Sequence, residues 1–512
     1  MLVKTFASAV TGIDAVTVTI EVNVSQGVRF FLVGLPDVAV KESQQRIESA
    51  FRTLGYKWPG KQVVINMAPA DIRKEGSSYD LPLAVGILAA DEKISRSLAE
   101  SFIIMGELSL DGTLQPVKGI LPIALRARDE GFKGLIVPRK NAREAAVVDG
   151  LEVYGMANLG EVIGFFNGTG KFEPVSVDLN EIFNNEANRY DVDFSDVRGQ
   201  ESVKRALEVA AAGGHNVIMI GPPGAGKTML AKRLPTIIPP LILEEALETT
   251  KIHSVAGKID DNTSLMVRRP FRSPHHTISD IALVGGGTFP QPGEISLAHN
   301  GVLFLDELPE FKRTVLEVLR QPLEDRVITI SRAKFTVDYP ASFMLVASMN
   351  PCPCGFHNHP EKECMCSTGM VQKYLNRISG PLLDRIDIHI EVVPVKYDKL
   401  SDTRKVENST LIRQRVVKAR AIQAKRFESV KGVYSNSQMS SSMQKKYCQL
   451  DEAGGRLLKT AMDLRGLSAR AYDRILKVAR TIADLDESEN IGSDHISEAI
   501  NYRNLDREGW AG

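Results

Sequence analysis

The chain has 512 residues, too many for one hydrophobic core, so about three domains are expected. Lysine plus arginine and aspartate plus glutamate each total 63, which excludes a globally basic nucleic-acid binder and leaves only local patches for such contacts. The longest uncharged apolar run, Leu81 to Ala90, reaches about half a membrane span, so no membrane partner is expected. The first residues, Met1-Leu2-Val3-Lys4-Thr5-Phe6, lack the apolar segment of a secretory signal and read as a strand start, which makes the expected location cytoplasmic.

Residues 1–170 alternate strand patterns, such as Val16 to Val22, with helical ones, such as Val38 to Phe51. Gly106-Glu107-Leu108-Ser109-Leu110-Asp111-Gly112, Gln115-Pro116-Val117 and Gly134-Leu135-Ile136-Val137-Pro138 resemble the Lon-protease domain, an S5-like α/β fold. That family uses a glycine-flanked serine activated by a downstream lysine. The resemblance puts Ser78 of Gly76-Ser77-Ser78 near the nucleophile position, but Leu121 stands where the lysine would fall, and Lys118 is out of helical register. A serine without a base stays a hydroxyl near neutral pH. The block therefore reads as an inactive protease fold, a ring-forming or DNA-guiding platform. Residues 171–192, acidic and Asn-rich after Gly168-Thr169-Gly170, read as a linker.

Residues 193–396 carry the nucleotide chemistry. A short apolar strand, Val217 to Ile220, runs into Gly221-Pro222-Pro223-Gly224-Ala225-Gly226-Lys227-Thr228 and then helix-forming residues from Met229. Strand, G-x-x-x-x-G-K-T and helix are the parts of a P-loop. Its glycines turn backbone N–H groups toward phosphates, Lys227 reaches the β and γ phosphates, and the Thr228 hydroxyl is placed for Mg²⁺. ATP and Mg²⁺ are the expected cofactors. Downstream, Phe271 to Ser279 lead to Gly285-Gly286-Gly287, which have the flexibility of a loop that could project into a pore; His275 and His276 suggest a metal pair but are better read in a loop role.

Val302-Leu303-Phe304-Leu305-Asp306-Glu307 supplies the partner strand, with Asp306 for the metal and Glu307 as the base that polarises water. Arg326 to Val337 alternates as a β-hairpin with Arg332 and Lys334 near its tip; these are candidate DNA contacts, the alternative being a solvated basic tip. Phe343 to Asn350 is another strand, and its terminal Asn350 is either a turn former or a group that orients the same water.

Four of the five cysteines fall in Cys352-Pro353-Cys354 and Cys364-Met365-Cys366. Paired C-x-C units read as a tetrahedral structural Zn²⁺ site, with His357 and His359 in reserve; free or redox-active thiols are the alternative. Cys448 stands apart as a packing thiol. Residues 397–512 are helical, and Arg413, Arg415, Lys418, Arg420, Lys425 and Arg426 lie in a stretch free of acids, either a DNA-facing surface or a solvated face.

Taken together, residues 221–228, Pro292 to Glu307 and Ser379-Gly380-Pro381-Leu382-Leu383-Asp384-Arg385 resemble the magnesium-chelatase-like branch of AAA+ ATPases, and within it the ComM/YifB family. The resemblance implies an AAA+ core with an N-terminal S5-like domain and a C-terminal helical lid. It implies that Asn350 is sensor 1, that Arg470 in Leu467-Ser468-Ala469-Arg470 is sensor 2, and that Arg385 is an arginine finger directed at a neighbouring subunit. The alternatives are a surface salt bridge of Arg385 with Asp384 or Asp387 and an ordinary helix-face role for Arg470. An active site completed in trans implies a ring, a hexamer in this family. The implied function is an ATP-driven motor on branched or single-stranded DNA, aiding recombination of imported DNA by branch migration or unwinding. A chelatase ATPase subunit and an ATP-dependent protein remodeller or protease are the competing readings.

Overall fold

The computed structural model describes residues 2–503 apart from 187–188, 261–262, 288–289, 333–334, 358, 360, 396–405 and 431. They form two compact units, one of Met1–Asn185 with Leu243–Val267, the other of Glu186–Ile242 with Arg268–Gly512.

The first unit is built on a mixed seven-stranded sheet of order β3-β4-β2-β1-β5-β8-β9. Its strands are β1 (Leu2–Thr11), β2 (Asp14–Ser25), β3 (Phe30–Val33), β4 (Gln62–Ala68), β5 (Phe102–Ile104), β8 (Gly134–Pro138) and β9 (Glu152–Met156); β6 (Glu107–Leu108) and β7 (Leu114–Gln115) form a small hairpin between β5 and β8. Along β2, Val18, Ile20, Val22 and Val24 alternate inward, the period-2 signature of a sheet with one face covered. The cover is helix Asp80–Ala90, every residue of which is buried. Gly86 lets this helix approach closely, since a Cβ there would stand 2.6 Å from Val22 Cγ2. The apolar run that falls short of a membrane span is thus a core helix, and no described helix is long and apolar enough to cross a membrane.

Residues 243–267 lie within the stretch expected to be the ATPase block, yet they pack with the first unit. Helix Leu243–Ala256 lies against helix Ile120–Asp129. Gly119 N–H donates to the Ser254 carbonyl at 3.2 Å, and the Ser254 hydroxyl and Leu121 N–H (2.9 Å) both donate to buried Glu144. Burial pushes the Glu144 carboxyl above its usual range, against the pull of those donors.

The second unit holds a five-stranded sheet of order β11-β14-β17-β10-β18, parallel throughout. The strands are β10 (Val217–Ile220), β11 (Phe271–Arg272), β14 (Val302–Leu305), β17 (Met344–Met349) and β18 (Ile388–Glu391); β12 (Gly285–Gly286) pairs with β13 (Gln291–Pro292), and β15 (Val327–Arg332) with β16 (Phe335–Pro340). Val217–Ile220, Val302–Leu305 and Met344–Met349 are buried at every position, as expected of parallel strands covered on both faces. The helices Ser409–Phe427, Glu452–Arg465, Ala469–Leu485 and Ser493–Asn501 share one hydrophobic core with this sheet. The boundary expected between 396 and 397 falls outside the described residues.

In the cationic stretch at 413–426, Lys418 and Lys425 are exposed while part of the charge is engaged within the chain. Arg415 pairs with Glu208 and Glu407, Arg420 donates to the Ala211 carbonyl at 3.0 Å, and Arg426 is engaged with buried Asp484. Buried Ile412, Val416, Ala419 and Phe427 give the same helix its inward stripe. Arg415, Arg420 and Arg426 thus tie the helix to its neighbours.

Candidate active site

β10 ends in the loop 221–228, whose shape is fixed by its glycines. Gly224 and Gly226 take φ of +80° and +91°, and a Cβ on Gly221 would come 2.1 Å from the Val392 carbonyl oxygen. Lys227 opens the following helix and is buried. Its Nζ donates to the carbonyls of Gly221 (2.7 Å) and Pro222 (3.0 Å) and to Oδ1 of Asn350 (3.1 Å). Burial lowers the Lys227 pKa, while Asp306 and Glu307 oppose the shift. Three acceptors around one ammonium hold it where phosphate oxygens would replace them.

β14 delivers Asp306 to the same place. The Thr228 hydroxyl donates to Asp306 Oδ2 at 2.7 Å, the Ser348 hydroxyl donates to Oδ1, and Glu307 N–H donates to Oδ1 at 3.1 Å. A hydroxyl and a carboxylate already in contact are the oxygen donors a hard divalent cation takes, so the residues present fit Mg²⁺. Asn350 arrives because β17 lies between β14 and β10 and pairs with both. Lys227, Thr228, Asp306 and Asn350 are thus brought together. Glu307 follows Asp306 with φ +55°, and its carboxylate faces Nδ1 of His276 at 3.4 Å.

The cysteine loop begins two residues after Asn350. Sγ of Cys352 lies 3.3 Å from that of Cys354 and 3.7 Å from that of Cys364; all four sulfurs of Cys352, Cys354, Cys364 and Cys366 fall within 4.8 Å of one another. Four thiolates at Zn–S of about 2.3 Å would have sulfurs about 3.8 Å apart, so the set fits a tetrahedral zinc ion. His359 Nδ1 instead accepts from the N–H groups of Glu361 (3.0 Å) and Lys362 (3.1 Å). Cys448 is buried, its thiol pushed up to about 12 by that burial.

Arg385 and Arg470 meet elsewhere. Both line a cavity of about 190 Å³ with Glu324, Asp384, Arg474 and Lys477. Arg385 is buried and paired with Glu324, whereas Asp384 pairs with Arg470 at 3.3 Å and Asp387 with Arg474 at 2.9 Å. The surface bridge of Arg385 with Asp384 or Asp387 does not form. Burial, with Arg474 beside it, brings Lys477 down to about 8. Asn216, just before β10, donates its Nδ2 to the Arg385 carbonyl at 3.0 Å. The P-loop leaves the far end of that strand, about 13 Å on for four residues of rise. Neither arginine is brought to the phosphate loop of its own chain.

In the first unit, Ser78 accepts Gly106 N–H through its carbonyl (2.9 Å), and Leu121 is fully buried. Lys118 is exposed, and buried Lys74 donates to the Pro69 carbonyl. Of the expected DNA contacts, Lys334 and the Arg332 side chain lie outside the described residues. Three contacts escape sequence reasoning: Ser348 on Asp306, His276 on Glu307 and Glu324 on Arg385. Only Ser348 leaves a sign in the sequence, as the polar residue of an otherwise apolar strand.

Comparison with known proteins agrees over the whole length. Family models match in three stretches: magnesium chelatase, subunit ChlI, over 193–400; subunit ChlI of Mg-chelatase over 20–141; and the magnesium chelatase subunit ChlI C-terminal region over 406–503. The chain is 44% identical to competence protein ComM of Haemophilus influenzae over 504 residues, covering 98% of this chain and 97% of the relative. It is 43% identical to the YifB protein of Salmonella typhimurium over 502 residues, 98% and 96% of the two chains. Lon protease 2 of Bacillus subtilis is 33% identical over 157 residues, 28% of this chain and 27% of that protein.

Proposed function

The chain belongs to the ComM/YifB family of magnesium-chelatase-like AAA+ ATPases, and on that premise we propose that it is an ATP-hydrolysing ring motor acting on DNA in the cytoplasm. The observation that carries the ATPase is the convergence of Lys227, Thr228, Asp306 and Asn350 at the end of β10. Lys227 and the loop N–H groups hold the phosphates; Thr228 and Asp306 hold Mg²⁺, which when bound neutralises phosphate charge. Glu307 takes a proton from water as it attacks, and Asn350 orients that water.

What supports a ring is the place of Arg385 and Arg470, at the strand end opposite their own P-loop. Guanidinium groups suit the charge spread over a transferring phosphoryl, and from that position they serve a neighbouring subunit's nucleotide. A hexamer is the proposed assembly. Cys352, Cys354, Cys364 and Cys366 hold one structural Zn²⁺ beside the phosphate loop.

DNA as the load is supported by full-length similarity to a competence protein. Branch migration or unwinding of branched or single-stranded DNA is the proposed work. With zero net charge, affinity has to come from cationic loops multiplied by assembly, Arg332 and Lys334 among them. The protease reading is weakened by buried Leu121, which offers Ser78 no base. ATP hydrolysis measured with four-way DNA, with a chelatase partner and with unfolded casein separates the readings. Stimulation by DNA alone is expected; stimulation by casein, with its cleavage, would replace this function by a proteolytic one.

A further inference from the structure

Asn216 stands immediately before β10, where three parts of the second unit meet. Its side-chain Nδ2 donates to the Arg385 carbonyl at 3.0 Å, while Oδ1 of the same amide accepts the Leu345 N–H of β17 at 2.9 Å. Its main chain holds the residues that follow Arg385. The Asn216 carbonyl accepts from the N–H groups of Asp387 and Ile388, both at 3.0 Å, and its own N–H donates to Asp387 Oδ2 at 3.1 Å. One residue thus pins the root of the strand that leads to the phosphate loop, the strand that ends at Asn350, and the segment that carries Arg385.

The amide is matched to this place. Asparagine sets a donor and an acceptor on one short planar group, whereas aspartate of the same shape offers only acceptors near neutral pH. Turning the amide over would face acceptor with acceptor and donor with donor, so the two backbone partners fix its orientation. Arg385 needs such a hold. Its guanidinium is folded back on its own chain, paired with Glu324 and donating to the Pro381 carbonyl at 2.5 Å. A side chain that leaves those partners for a phosphate swings about its own Cα, and Asn216 grips the backbone that sets where that Cα lies. A small misplacement of a charge-stabilising group is costly to the reaction.

We infer that Asn216 is a positioning residue for the finger: although it precedes the strand to its own phosphate loop, its amide sets the reach of Arg385 into a neighbouring subunit's site. The inference rests on Arg385 acting in trans, as proposed above.

The test uses full-length subunits carrying Asn216→Asp, which keeps the acceptor for Leu345 but cannot donate to Arg385, or Asn216→Ser, which is uncharged and too short for that carbonyl. Each should bind a fluorescent ATP analogue within about twofold of the parent and lose about tenfold in kcat. Mixing locates the defect. With Lys227→Ala subunits, either variant should regain part of the activity, because intact loops then meet intact fingers. With Arg385→Ala subunits it should regain none, because both partners are deficient on the finger side. Recovery with Arg385→Ala, no recovery with Lys227→Ala, weakened analogue binding or an unaltered kcat overturns the inference. So does a loss of assembly in both variants, which would make Asn216 a folding residue. Arg385→Ala mixed with Lys227→Ala separates the two claims: if that pair recovers and the Asn216 variants do not, only the role of Asn216 falls. If that pair fails in mixed rings, the finger in trans falls and takes this inference with it.

Discussion

Gly355 lies against the ring of Pro223 so closely that a Cβ at 355 would stand 2.5 Å from Pro223 Cδ, and its φ of +86° already disfavours a side chain. One residue belongs to the cysteine loop and the other to the phosphate loop, so the two loops share a wall. Gly355→Ala should push that wall inward and weaken ATP affinity about tenfold, or about 1.4 kcal/mol. Equilibrium binding of an ATP analogue checks this, and unchanged affinity would mean that the loops act independently.

Metal should act through the same wall. Purified under reducing, chelator-free conditions, the protein should carry one Zn²⁺ per chain, and Cys352→Ser should lose it. Removal by a strong chelator should lower both the thermal midpoint and ATP affinity, because a closed thiolate site contributes its binding energy to the fold around it. Metal analysis finding no zinc would leave four free thiols and rule out a structural zinc site.

Lys227→Ala should abolish nucleotide binding, whereas Glu307→Gln should bind ATP and hydrolyse it at least about 100-fold more slowly. The first removes a charge that meets the phosphates in the ground state; the second removes only water activation. Binding and turnover measured on the same preparations distinguish them.

Much of this site is legible in the sequence because its parts are local: 217–228 and 302–307 each carry strand, turn and chemistry in one short run. The joining of Thr228 to Asp306, and of Lys227 to Asn350, depends on strand order, which family resemblance supplies and periodicity does not. Contacts such as His276 to Glu307 or Glu324 to Arg385 span tens of residues with no spacing rule behind them, and only tertiary packing creates them. The docking of 243–267 on the first unit is hidden for the same reason, since an amphipathic pattern says that a helix is covered but not by what. In Ser409–Phe427 the local run of charge does not show that Arg415 and Arg426 are engaged, because their partners Glu208, Glu407 and Asp484 lie outside the helix.

Arg385→Ala should be inactive alone, yet mixed with Lys227→Ala subunits it should regain part of the activity, because some interfaces then pair an intact loop with an intact finger. Glu324→Ala tests the partner seen here and should lower activity less than Arg385→Ala does. No recovery in preparations shown to contain mixed rings would count against an active site shared between subunits.

Asp387 is buried beside Arg474 (2.9 Å) and His215 (3.4 Å) and accepts the Asn216 N–H at 3.1 Å. Burial works to raise its pKa, but Arg474 and then His215 outweigh that and hold it well below the ordinary carboxylate range. A depressed carboxylate contributes stability above its unfolded value, about 3.9, that is lost as pH falls through the folded value. Thermal midpoints should therefore drop below about pH 4, and Asp387→Asn should cost about 3 kcal/mol near neutrality while flattening that acid limb.

A motor that moves DNA releases a labelled strand from a synthetic four-way junction during ATP hydrolysis. Release should require ATP, disappear in Lys227→Ala and Glu307→Gln, and fall steeply as salt is raised, since assembled cationic loops are proposed to supply the affinity. Brisk ATP hydrolysis with the junction intact, and a rate indifferent to DNA of every shape, would contradict it.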